Sequence, residues 1–132
     1  MIIILFLFFF PYNPQILYSL SMDNYQNGIV IEELRLKVPE IYRDIWLDAE
    51  KNIWDPWLSG KDGFLGRKIF WDKKREEALI LVNWKNRELW KGISNKEVNE
   101  IQRGYENYVK EALNLDRNPF QLIYEGELYK QG

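Results

Sequence analysis

The sequence predicts an α+β domain of order βαββαβ, a four-stranded antiparallel sheet with two helices on one face. Three features point to it: short runs with a period of two, longer stretches with a period near 3.6, and turn or cap residues where they meet. Residues 29–38 form the first strand, with Leu34, Leu36 and Val38 on one face and Glu33, Arg35 and Lys37 on the other. Pro39 suits the first turn of a helix, where a missing N–H costs nothing. Ile41, Ile45, Ala49 and Ile53 then recur at four-residue spacing, with Trp46 and Trp57 nearby, and Pro56 predicts an end near Trp54. Gly60, Asp62 and Gly63 mark a turn before a second strand over 64–71, and the charged stretch 72–76 is a hairpin connection.

The third strand, 77–85, is apolar at Ala78, Leu79, Ile80, Leu81 and Val82 without alternation, so both of its faces need cover. Asn86 caps a short turn that holds Leu89 and Trp90. Ser94 followed by Glu97 has the capping-box form and opens the second helix, whose stripe is Val98, Ile101, Tyr105, Tyr108 and Ala112. Pro119 enters a final strand in which Phe120, Leu122, Tyr124 and Leu128 alternate with Gln121, Glu125 and Glu127. In this order of elements strands one and three pair at the centre. Two helices cover one face only, and exposing the other side of strand three forfeits several kcal/mol at roughly 25 cal/mol per Å². A second copy of the chain, packed sheet against sheet, is the economical cover, which predicts a homodimer.

Composition narrows the chemistry. The chain has 132 residues, suited to one domain, with 18 Lys and Arg against 20 Asp and Glu and a net charge of −2. That balance supplies no general field for nucleic acid or an anionic membrane. With neither Cys nor His, disulfides, thiol catalysis, a Ser-His-Asp arrangement and Cys- or His-ligated metal sites are excluded. The adjacent acids Glu32–Glu33 and Glu76–Glu77 split across strand faces and read as surface groups, so no metal site and no cofactor are expected. Gly63 and Gly66 precede a strand rather than a helix and make no phosphate loop.

Residues 1–22 carry no charged side chain. The apolar run 1–10 spans about 15 Å as a helix, too short to cross a bilayer. Two readings stand: translation begins at Met22 and the protein is cytoplasmic, or the segment is a signal or anchor that exports it or ties it to a membrane. Ser19-Leu20-Ser21 has small residues at cleavage spacing, but the first Lys or Arg is Arg35. Residues 1–27 are therefore expected to lie outside the fold, and 28–130 to form one domain.

Several blocks together resemble one family: Val30-Ile-Glu32, Ile53-Trp-Asp-Pro-Trp-Leu58, Gly63-Phe-Leu-Gly-Arg-Lys68, Val82-Asn-Trp84 and Arg87-Glu-Leu-Trp-Lys91. The stretch from Val30 to Val109 is similar to a family of small, mainly cyanobacterial proteins related to the antibiotic-biosynthesis-monooxygenase group of dimeric α+β barrels. The resemblance implies a ferredoxin-like fold and a two-sheet homodimer. It implies no settled reaction, although more distant members include cofactor-independent oxygenases, haem-degrading enzymes and small isomerases of ring compounds. The haem-degrading members are similar to one another in having a His on the second helix, which this chain lacks.

The ligand-pocket candidates are Arg35, Arg67, Asn83, Trp84 and Tyr124. Asn83 and Trp84 are adjacent on a strand and point to opposite faces, so at most one of them lines a cavity. Arg35 and Arg67 are either ion-paired at a dimer rim or polar groups facing a ligand in a hollow barrel. The six Trp, at 46, 54, 57, 71, 84 and 90, read first as core and dimer seam and second as an aromatic cage. The expected function is binding of a small aromatic or hydrophobic molecule in the barrel, in a cavity that the dimer encloses, with a cofactor-independent oxygenase or isomerase of a small ring compound as the enzymatic form. The alternative is a structural or protein-interaction dimer with a filled interior. Nucleic acid is not an expected partner, because exposed aromatics beside basic residues on the middle strands are missing.

Overall fold

The computed structural model describes residues 28–132, so the expectations for residues 1–27 lie outside the described residues. Strand β1 (Val30–Lys37) leads through a 3-10 turn (Glu40–Tyr42) into helix α1 (Arg43–Ala49), a π-helical turn (Glu50–Trp54) and helix α2 (Asp55–Ser59). Strands β2 (Phe64–Asp72) and β3 (Glu77–Trp84) form a hairpin. Helices α3 (Arg87–Lys91) and α4 (Asn95–Leu113) then precede strand β4 (Leu122–Tyr129). The sheet order is β2-β3-β1-β4 with every neighbouring pair antiparallel, which is the expected ferredoxin-like α+β arrangement.

The face of strand three that meets the helices is now defined. Ala78, Ile80, Val82 and Trp84 are buried beneath Trp46 and Ala49 of α1 and Tyr105 and Val109 of α4. On the other face Leu79 and Leu81 are only half-buried, and Phe70, Tyr124 and Leu128 are exposed. Arg35 is paired with Glu33 on this open face, Nε to carboxylate 2.7 Å.

Four local expectations are corrected. Helical structure does not stop at Trp54: the π turn is wider than an α turn and accepts Pro56 at the start of α2, where neither a missing N–H nor the ring breaks the ladder. Ile41 is 80% exposed, because it sits in the 3-10 turn and not on the buried stripe of α1. Along α4 it is Val109 that is buried, while Ala112 is exposed. In β4 the register shifts between Arg35 and Leu36, so Leu122 pairs with Leu36 on the helix side whereas Tyr124 pairs with Arg35 on the open side. The extra residue of this bulge breaks the single apolar stripe that alternation alone implies.

Ser94 accepts a hydrogen bond from Glu97 N at 3.2 Å, as its cap position requires. The Glu97 carboxylate does not return to the cap. It accepts from Trp57 Nε1 at 2.9 Å and pairs with Lys61, tying the end of α2 to the start of α4.

Candidate functional site

A cavity of about 730 Å³ lies between the sheet and the chain's own helices. Its position follows from the register. Arg67 of β2, Val82 of β3, Glu32 of β1 and Glu127 of β4 are Cα partners in one row across the sheet. With strands about 4.8 Å apart, that row is a polar belt crossing an apolar floor built by Leu34, Leu36 and Ile80. Trp54, Trp57, Trp84 and Trp90 supply aromatic walls, and Tyr105, Gln102 and Asn99 come from α4.

One end of the belt is a closed ion-pair network. Arg67, with a side chain only 7% exposed, places Nη1 2.7 Å from Glu50 Oε2 and Nε 2.8 Å from Asp55 Oδ1, and Nη2 donates to the Glu50 carbonyl at 3.1 Å. The π turn and the first turn of α2 bring Glu50 and Asp55 to the same guanidinium. Burial pushes the Glu50 carboxyl above its ordinary range, and the Arg67 charge opposes that push. Both charges are therefore buried but compensated.

In the middle of the belt, Glu32 accepts a hydrogen bond from Trp84 Nε1 at 3.2 Å and has no cation within ion-pair distance among the described residues. Burial raises its pKa, and the Trp84 hydrogen bond only partly offsets the effect. On the helix side of the cavity, the Tyr105 hydroxyl is buried with no hydrogen-bond partner among the described residues. Burial first, and the nearby Glu50 charge second, hold that phenol protonated well above its ordinary range.

At the far edge, Glu127 accepts from Arg87 Nε at 2.9 Å, Arg87 Nη2 at 3.1 Å and the Tyr129 hydroxyl at 2.7 Å, with Lys91 Nζ 3.6 Å away. The Arg87 hydrogen bonds lead in lowering its pKa to about 2. A carboxylate so depressed contributes stability above its unfolded value near 4.3, and that contribution is lost as pH falls through about 2. Thermal melts from pH 5 to pH 2 are therefore expected to show Glu127→Gln less stable than the unaltered protein at pH 5, the gap closing towards pH 2. A gap independent of pH overturns this account.

Of the five sequence candidates the structure brings two together. Arg67 and Trp84 line the cavity. Arg35, Asn83 and Tyr124 are on the open face, where Tyr124 lies across Gly126 so closely that a Cβ there would meet the phenol oxygen at 2.6 Å. Glu32 and Glu33 are not the surface groups expected, since Glu32 lines the cavity and Glu33 is buried; Tyr105 is expected only as a stripe residue, and Glu50 carries no signal of its own. A signal for Glu32 exists: it occupies the same strand face as Val30, Leu34 and Leu36, an acid in an otherwise apolar stripe. Among the described residues no acidic cluster is placed to hold a metal ion, and no helix is long and apolar enough to cross a membrane.

No protein-family model and no curated protein sequence matches the chain. Solved structures do. The chain is similar to a monooxygenase from the gene ActVA-Orf6 of Streptomyces coelicolor in complex with nanaomycin D: TM-score 0.57, 11% identity, 81% of this chain and 90% of that one. It is similar to a dimeric ferredoxin-like protein from an uncultured marine organism: TM-score 0.51, 14% identity, 84% of this chain and 96% of that one. A candidate antibiotic biosynthesis monooxygenase from Chloroflexus aurantiacus follows at TM-score 0.50 and 14% identity, covering 79% of this chain and 94% of that one. The fold is thus shared with antibiotic-biosynthesis-monooxygenase-like and dimeric ferredoxin-like proteins.

Proposed function

We propose that residues 28–130 form one domain that pairs with a second copy through the open sheet faces and binds a small, flat aromatic molecule in each subunit's cavity. Monooxygenase-type chemistry on that molecule is part of the reading, as is kinship with the mainly cyanobacterial family that the sequence blocks resemble. The observation that carries the proposal is the cavity itself. About 730 Å³ is the size of a small-molecule site, and its aromatic walls with a few convergent polar groups suit a ring compound.

Arg67 and Trp84 are assigned to the pocket, and Arg35, Asn83 and Tyr124 to the dimer seam. The ionic network at Arg67 supports the fixed end of the site. The likeness to a monooxygenase in complex with nanaomycin D supports a small-molecule ligand.

Four Trp line the cavity, so intrinsic fluorescence reports on its contents. Titration with a panel of small hydroquinones and naphthols is expected to give saturable quenching at micromolar concentration, and oxygen uptake then tests for turnover. No saturable change across the panel overturns the small-molecule reading; binding without oxygen uptake overturns the oxygenase part alone.

A further inference from the structure

We propose that the ligand of this cavity carries a protonated amine, seated on Glu32 between aromatic walls. The inference rests on the small-molecule reading above and names the ligand's charge.

The lining holds five carboxylates, at Glu32, Glu50, Glu106, Glu125 and Glu127, against two cations, Arg67 and Lys91. Both cations are already engaged. Arg67 is shared by Glu50 and Asp55, and Lys91 lies 3.6 Å from Glu127 and 4.0 Å over the Trp90 ring. An anionic ligand therefore finds no uncommitted positive charge. Glu32 is the converse case, a partly buried carboxylate with one neutral donor, Trp84 Nε1, and with Lys91 and Arg67 attracting it only from beyond ion-pair distance.

A partly buried acid that lines the cavity with no ion-pair partner gains from a cation that arrives with the ligand. Trp90 lines the same cavity and already has the Lys91 ammonium 4.0 Å over its ring, which shows that an indole face here accepts a cation. Tyr105 adds an independent sign of an occupant. Its hydroxyl is buried, lines this cavity and has no partner among the described residues, so a polar group at the ligand's other end satisfies it.

Three probes of one shape separate the possibilities: naphthylmethylamine, naphthalenemethanol and naphthoate, titrated calorimetrically at neutral pH. The amine is expected to bind about tenfold or more tighter than the alcohol, as one charge-assisted hydrogen bond provides, and the carboxylate weakest. Glu32→Gln is expected to remove the preference for the amine over the alcohol, because an amide carries no charge. Equal affinity for amine and alcohol in the unaltered protein overturns the inference and leaves the aromatic cavity standing, as does tightest binding of the carboxylate. Binding of none of the three overturns both readings. The ranking in the unaltered protein decides the matter even if the variant fails to fold.

Discussion

Replacing Arg67 with methionine lowers the unfolding free energy by about 3–5 kcal/mol, the cost of leaving a buried charge without its partner. The side chains of Arg67 and Glu50 are 7% and 4% exposed, so water cannot take over the lost contacts. Glu50 then escapes only by taking up a proton, and burial already pushes its carboxyl in that direction. Asp55 adds little to the loss, because its side chain is 46% exposed. Urea denaturation gives the value directly. The double variant Arg67→Met with Glu50→Gln is expected to recover most of the stability, since it removes the charge along with its partner. If the double variant is as unstable as the single one, packing around Arg67 rather than uncompensated charge explains the effect.

Substituting Leu81 with glutamate separates the proposed dimer into folded subunits. Leu81 sits at the centre of the open face, on β3 beside Glu33 of β1 and Lys68 of β2, while Ile80 and Val82 on either side of it face the core. A carboxylate there leaves the subunit's interior untouched but must be desolvated when two sheets meet. The unaltered protein is expected to sediment at twice the chain mass at micromolar concentration, and Leu81→Glu to weaken association by about a hundredfold or more. The variant's circular dichroism should match the unaltered protein's. A folded, unaltered protein that sediments as a single chain overturns the dimer.

The order of elements is legible in the sequence because each carries its own local period and its own punctuation. Ser94, Asn86 and Pro39 act within a few residues of themselves, and the structure places all three at the helix starts they imply. What is not legible depends on distant partners. The bulge in β4 is set by pairing with β1 across most of the chain, so Leu122 and Tyr124 part company although they alternate in phase. The site shares this dependence. Nothing near Glu50 in sequence shows that Arg67 will neutralise it, and Tyr105 reads as one more member of a core stripe until the space above the sheet is seen to be open. Glu32 is the intermediate case: its face is legible, while its hydrogen bond from Trp84, 52 residues away, is not.

The π turn at Glu50–Trp54 contains, in effect, one amino acid more than a regular helix would need to cover the same distance. Winding the same residues as a regular α-helix would swing everything downstream by roughly 100°. Asp55 would rotate off the Arg67 guanidinium, and Trp57 would leave the carboxylate it holds at the mouth of α4. A one-residue irregularity in the chain thus acts as the phasing element that lets a single helical run serve the ionic end of the chamber and the tie to α4 together.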